Sequence, residues 1–500
     1  MKTYRPYSPD QSYLLPPSPS EWLRENHLAY FVLDLLEDLD LGEIERPIQQ
    51  KDPRGERPFS PRMMTALLLY GYAVGLTSSR KLERATYEDV AVRVIAAGDH
   101  PHFTTINDFR DRHRVALGGL FQQVLDECMS AGLVKLGHVA IDGTRMKANA
   151  SKHKAMSHER MVKEEARLTA EIEAYFDQAA AVDAEEDRLY GVGQQPQDLP
   201  AELSRREGRR AKIREVRAAL QKEVARKRAA ELTELADGLR AKAVDPTTSP
   251  RKQGEFMTVA AQHDQQAAEL DDDDDDLPPP SPDDDLPVNT PPKTPKGTPK
   301  PKAQRNFTDP ESRIMHKDGT FLQAYNAQLA VDESPHQIIV AAALSNQGAD
   351  VAYFTPMLRR VVENCSAVPA AVSGDSGYFS AENVRYAEGV GSEPFIAVGK
   401  HFNDGRPSER PMGPSNLKSP ARDRMRKLLE TDRGRAAYAR RKATVEPVFG
   451  QIRSCRRFQQ MSFRGLFKNR CEWLLVAATH NLLKLWRFVS KQSPQLALTT

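Results

Sequence analysis

The sequence predicts an α/β protein: a mixed-sheet core, an all-helical N-terminal domain, and an inserted helical hairpin with a low-complexity linker. Three observations predict it. Apolar residues recur at helical spacing through residues 20–130. Short apolar strand runs alternate with helical stretches at 138–144 and again after 306. Between them stand a charged helical stretch at 155–240 and Asp-, Pro- and Lys-rich text at 241–306.

The first domain, 1–131, begins with a Tyr- and Pro-rich stretch that has no apolar run of a signal peptide. Ser60-Pro61 marks a helix start, because serine caps free N–H groups and proline is tolerated at the first helical position. Thr77-Ser78-Ser79 offers a cap for a helix over 80–97, and Thr104 or Thr105 for a third through Ile106 and Phe109. That third helix ends in Arg110, Arg112, His113 and Arg114. Short helices with basic ends suit a DNA-binding bundle, and equally an ordinary helical dimerisation domain.

The remainder, 132–500, reads as a catalytic α/β domain interrupted at 155–305. Val139-Ala140-Ile141 is a buried-strand run closed by Asp142-Gly143-Thr144. A carboxylate at a strand end is held rigidly while facing solvent, or simply caps the turn. In the insertion, Met161, Leu168, Ile172, Tyr175 and Phe176 form one stripe, and Ile213, Val216, Leu220 and Val224 another, as in an antiparallel hairpin. Asp271–Asp276 and the Pro-rich text after it read as a solvated linker that could also mimic phosphates. Strands are predicted over 321–331, 337–344, 370–373 and 394–398, with a helix over 351–362 and another capped by Ser380. Asp375 lies in Gly374-Asp375-Ser376-Gly377, a second strand-end carboxylate. Thr444 is predicted to cap a helix with Glu446 and Pro447 in its first turn. The run 473–486 reads as a core helix, too short and polar to span a bilayer.

Composition bounds the function. At about 150 residues per domain, 500 residues make roughly three folding units. Apolar residues are 39% and prolines number 35, which fits a core plus a solvated part. The net charge of +2 identifies no partner, but residues 438–487 hold eleven Lys/Arg against only Glu446 and Glu472. That field favours a polyanion. Four scattered cysteines form no C-x-x-C pair, which argues against a zinc or disulfide scaffold and for reduced thiols. Three carboxylates beside a basic groove suit Mg²⁺ or Mn²⁺, and two such ions promote in-line phosphoryl transfer. No phosphate-cradling glycine loop, H-E-x-x-H or G-x-S-x-G competes. Taken alone, Glu446 reads equally as a salt-bridge partner in a basic helix.

The stretches around Asp142, Asp375 and Glu446, the text "FSPRMMTALLLYGYAVGLTSSRKLE" with "FTTINDFRDRH", and the segments "RNFTDPESRIM" and "YNAQLAVDE" resemble DDE transposases of bacterial insertion sequences. The resemblance implies a ribonuclease H-like catalytic core in which Asp142, Asp375 and Glu446 are the catalytic metal ligands. It implies metal-dependent cleavage at element ends and strand transfer into target DNA, on a homodimer, in the bacterial cytoplasm at the nucleoid. In the pattern Tyr-x2-Arg-x3-Glu-x6-Lys of related transposases, Ala439 stands at the Tyr position with Tyr438 one residue off. Lys442 stands at the Arg position and Arg453 at the Lys position. Arg441, Lys442, Arg453, Arg456 and Arg457 are the expected DNA contacts, with a solvated helix face as the alternative for Lys442 and Arg453. Two other functions remain open: a metal-dependent nuclease without strand transfer, and a non-catalytic DNA-binding protein derived from a transposase.

Overall fold

The computed structural model describes residues 19–50, 57–190, 201–270, 285–317, 319–398 and 420–492. In chain order it begins with seven helices: α1 (Leu28–Asp38), α2 (Gly42–Gln49), α3 (Pro61–Val74), α4 (Ser79–Glu88), α5 (Val90–Ile95), α6 (Phe103–Arg112) and α7 (Arg114–Ser130). Strand β1 (Val139–Lys147) is followed by β2 (Ala155–Ser157), then by α8 (His158–Tyr190), α9 (Ala201–Val244) and α10 (Pro250–Ala268). Next come β3 (Gln304–Asn306), β4 (Arg313–Lys317), β5 (Thr320–Asp332), β6 (Ile339–Ser345), α11 (Phe354–Cys365), β7 (Ala371–Gly374), α12 (Ala381–Val390) and β8 (Glu393–Ile396). Helices α13 (Pro420–Glu430), α14 (Asp432–Gly450) and α15 (Leu466–Gln492) close the described chain.

Two compact units result. The first holds 1–146, 326–345 and 349–500, and the second holds 147–325 and 346–348. The first unit therefore unites the N-terminal helices with the sheet, and no boundary of compaction falls at 131/132. The reason is α15: it packs on α3, α7 and β6. Trp473, fully buried, donates its indole N–H to the Gln328 carbonyl, and Asn481 brackets both backbone groups of Ile339. On the helical side, Glu472 accepts from the Tyr72 hydroxyl at 2.6 Å, and Arg110 donates to the same hydroxyl. The expected core helix over 473–486 is thus the shared wall of both layers.

The central sheet is mixed, the α/β core of ribonuclease H-like class that the sequence predicts. Its path runs β5-β1-β7-β8, with β6 antiparallel on the outer edge of β5. β1, β7 and β8 are mutually parallel neighbours. β7 and β8 are four residues each and buried along most of their length, as parallel strands between helices must be.

The second unit contains the predicted hairpin. The stripes of α8 and α9 meet through Met161, Leu168, Ile213 and Val216, while the side chains of Tyr175 and Phe176 lie outside the described residues. The linker expectation for 241–306 is corrected in part. Residues 250–268 form α10, which packs along α9, and Leu286 and Ala303 are buried. Ala260 and Ala267 supply a buried small-residue stripe that a composition rich in charge concealed. The Asp271–Asp276 run lies outside the described residues.

Local starts differ in instructive ways. Ser60 caps α3 as predicted. The helix expected over 80–97 is broken at Asp89, whose extended backbone and carboxylate cap α5. The α6 cap is His102, through its ring nitrogen. Thr444 caps nothing. It lies inside α14, returning its hydroxyl to the Arg440 carbonyl, and Thr431 is the true cap. Among the described residues no helix is long and apolar enough to cross a membrane, and no cysteine is bonded to another.

Gly75 ends α3 at φ +87°, where a Cβ would stand 2.6 Å from the Arg456 carbonyl oxygen. Gly75→Ala is therefore expected to cost roughly 2 kcal/mol or more, from left-handed strain plus overlap with backbone. Chemical denaturation reads this, and a variant as stable as the wild type would contradict the packing of α3 on the 456 loop.

Candidate active site

Parallel pairing of β1 with β7 sets Val139 beside Val372 and Ala140 beside Ser373. Carried two residues further, the same register sets Asp142 beside Asp375. Period-two alternation then keeps both carboxylates on one face. Each side chain is also tied locally. Asp142 Oδ1 accepts from the Gly143 amide at 2.8 Å, and Asp375 Oδ1 accepts from the Gly377 amide at 2.7 Å. Two like charges held this way repel. Burial, reinforced by Asp375 and opposed by Arg441, raises Asp142 from 3.8 to about 6.

The partner of Asp142 comes from α14. Arg441 Nη1 donates to Asp142 Oδ2 at 3.0 Å, with only 6% of the arginine side chain exposed. Its guanidinium lies 5.6 Å from the Tyr438 ring centre, and Tyr438 itself is raised by burial and by both aspartates. So Tyr438 and Arg441, one turn apart, face the aspartates. The residues aligned to that pattern from sequence, Ala439 and Lys442, are both exposed apart from this contact.

Glu446 is placed differently. It is exposed on α14, five residues beyond Arg441, which turns it about 140° around the helix axis from that arginine. The structure brings Asp142 and Asp375 together and leaves Glu446 outside the pair. Among the described residues no group of three His, Cys, Asp or Glu side chains stands close enough to hold a metal ion.

Beneath the pair lies a buried polar network that sequence reasoning missed. Arg145, three residues past Asp142 on β1, donates to both carboxylate oxygens of Asp350 at 3.2 Å. Asn326 and Gln328, both fully buried on β5, donate to Asp350 Oδ1 at 2.7 and 3.1 Å. Tyr378, three residues past Asp375, donates to the Gln328 side chain, and its hydroxyl is raised by burial and by Asp142, Asp350 and Asp375. Gly143 makes the fit possible, since a Cβ there would stand 2.2 Å from Gln328 Nε2. One signal was available: Asn326 and Gln328 alternate within an otherwise apolar strand, so two amides share one buried face. Asp350 sits in a loop with no such pattern.

The expected DNA contacts divide. Lys442 and Arg457 are exposed and Arg453 is half-buried. Arg441 and Arg456 are corrections, both buried. Arg441 is committed to Asp142. Arg456 donates to Thr479 Oγ1 and the Val476 carbonyl on α15, and burial lowers it to about 9. In the N-terminal basic string, Arg110 and His113 are likewise buried, and Arg114 bonds within its own turn to Asp111. Charge counted along the sequence overstates the cationic surface, because several guanidiniums serve as internal donors to backbone carbonyls. Arg457→Ala is expected to reduce the slope of log affinity for DNA against log salt by about 0.9, one phosphate contact, while Arg456→Met leaves it unchanged. Equal slopes for the two variants would refute the division.

Asp142 also carries a stability signature. A carboxyl raised on folding contributes its full stability below its unfolded value of 3.8 and loses it as pH climbs through about 6. Asp142→Asn stays neutral throughout. Without added divalent ions, its stability advantage over the wild type should therefore grow between pH 4 and pH 6 and then level off, at a scale on the order of 3 kcal/mol. A gap that does not vary with pH would show that Asp142 is not desolvated.

The comparisons with known proteins bear on this site. Residues 286–482 match the family model described as Transposase DDE domain, and residues 18–112 match the one described as Transposase domain (DUF772). No curated protein and no solved structure matches the chain. Asp375 and Glu446 fall inside the first match, whereas Asp142 and the inserted helices lie between the two. With a helical transposase domain followed by a DDE domain in one chain, the protein belongs to the DDE transposases of insertion elements.

Proposed function

We propose that this chain cleaves DNA at the ends of its element and joins the freed 3′-hydroxyl to target DNA. The observation that carries the reading is the nearness of Asp142 and Asp375, which the parallel register of β1 and β7 leads toward each other and which is felt in the raised carboxyl of Asp142. Two such carboxylates form a hard-oxygen donor set suited to Mg²⁺ or Mn²⁺. Their repulsion, and the raised Asp142, are what a divalent cation would relieve. Two ions bound there supply a deprotonated water or 3′-hydroxyl and stabilisation of the leaving oxygen.

The chain's own groups orient that chemistry. Arg441 partly offsets the charge of Asp142 and ties α14 to β1. Arg145, Asn326 and Gln328 fix Asp350, and through Tyr378 they brace the turn that carries Asp375. Glu446 is the third carboxylate in this reading. It stands on α14, the helix whose Arg441 already touches Asp142. Lys442, Arg453 and Arg457 hold the phosphodiester backbone. The domain at 1–131 binds element ends, the domain at 132–500 performs the chemistry, and two copies act together in the cytoplasm, one at each end.

The exposed position of Glu446 favours a second reading, a DNA-binding protein without catalysis. One experiment separates them. With Mg²⁺ and an end-containing duplex, Asp142→Ala, Asp375→Ala and Glu446→Gln should each lower cleavage by at least about a thousandfold while gel-shift affinity persists. Wild-type protein that binds but never cleaves, in Mg²⁺ or Mn²⁺, establishes the second reading. Joining of pre-cleaved ends distinguishes a transposase from a nuclease.

A further inference from the structure

The second unit holds a cavity of about 540 Å³ whose rim is cationic: His153, Lys154, Arg160, Arg209 and Lys212 line it, and no acidic residue does. Its remaining walls include Met156, Ile213 and Phe307. These are anchored, since Met156 and Phe307 pack on the Met161, Leu168, Ile213 and Val216 cluster that joins α8 to α9. The approach to α8 is fixed as well, because β2 pairs with β3 in antiparallel register from Ala155–Asn306 to Ser157–Gln304. The cavity is therefore part of a folded hairpin base.

Only part of the charge there is used by the fold. Arg209 and Lys212 have carboxylates behind them, Glu164 and Glu215, each at 2.8 Å. His153, Lys154 and Arg160 are exposed, and of these Arg160 adds to the field that lowers Glu164. Glu159, the only acidic residue in 147–163, is committed to Lys163 at 2.7 Å. The local field is positive enough that Arg217, after burial, lowers His158. Converging cations around a partly apolar floor match a phosphodiester: phosphate oxygens meet the rim, and a sugar edge meets Met156 and Phe307.

We propose that this cavity is a second DNA-contact site, which grips the phosphate backbone within the inserted unit. Apart from Phe307, its lining residues fall outside both matched stretches. The proposal rests on the reading that the chain handles DNA, and its test is independent of cleavage.

The experiment uses the full chain and a labelled end-containing duplex, with fluorescence anisotropy from about 50 to about 300 mM salt. Lys154→Ala with Arg160→Ala should shrink the slope of log affinity against log salt by about two and weaken binding roughly tenfold or more at the low-salt end. Arg251→Ala, on an exposed ion pair with Glu255, should change neither. Both substituted cavity positions are exposed, so an unaltered melting curve certifies the double variant. A double variant with the wild-type slope and affinity overturns the proposal. Inorganic phosphate should displace DNA more readily from the wild type than from the double variant at constant ionic strength, because the two would compete for the same cations; equal displacement from both also overturns the proposal. Cleavage by the wild type and by Asp142→Asn, run in parallel, reports on the transposase reading separately: lost cleavage with an altered slope spares the cavity, and the converse spares the reaction.

Discussion

Two carboxylates at the same level of neighbouring parallel strands are an electrostatic problem that the surrounding structure answers. Parallel pairing of Val139 with Val372 and Ala140 with Ser373 leads β1 and the turn after β7 in the same direction, which brings Asp375 near Asp142. Isolated, such a pair would favour protonation of one member, which is the sense in which Asp142 is raised. Arg441 partly offsets this from the α14 side. The backbone amides of Gly143 and Gly377 do so from below, each donating to its aspartate. The result is a pair of carboxylates whose charge is balanced only in part.

The buried network beside the pair is as constrained as the pair itself. Arg145, Asp350, Asn326 and Gln328 come from two neighbouring strands and a loop, and each finds a partner in the others. The Arg145–Asp350 pair at the centre of the network is half-buried. Its value lies in geometry. The network ties β1 at Arg145 to the middle of β5 at Asn326 and Gln328 and, through Tyr378, to the turn after β7. Gly143 is demanded by the closeness of Gln328, so the glycine of Asp142-Gly143, which the sequence suggested as a strand end, serves packing in the middle of β1 (Val139–Lys147).

Much of the architecture was readable from periodicity. The α3 start at Ser60-Pro61, the strands β1, β5, β6, β7 and β8, the Ser380 cap and the greasy core helix all follow from local rules: capping chemistry, alternation, and apolar runs of strand length. The failures share a cause. Thr444-Val445-Glu446-Pro447 looks like a helix start, yet α14 runs straight through it, because Arg441, Val445 and Val448 are buried against the core and tertiary packing overrides the local cap. Helix α10 was hidden in a segment poor in large apolar residues, where a stripe of alanines against α9 suffices.

Sequence by itself determined the identities and order of the acidic residues, the strand-end position of Asp375, and the excess of positive charge near the C-terminus, whereas β1 runs on to Lys147 and leaves Asp142 in mid-strand. These are properties of residue type and local period, which need no partner. Only the tertiary structure decided which charges meet. It committed Arg441 to Asp142, sank Arg456 beneath α15, turned Glu446 outward and gathered the cations of 153–212 around one cavity. Contact between residues three hundred positions apart depends on sheet order and helix rotation, and a one-dimensional pattern carries neither.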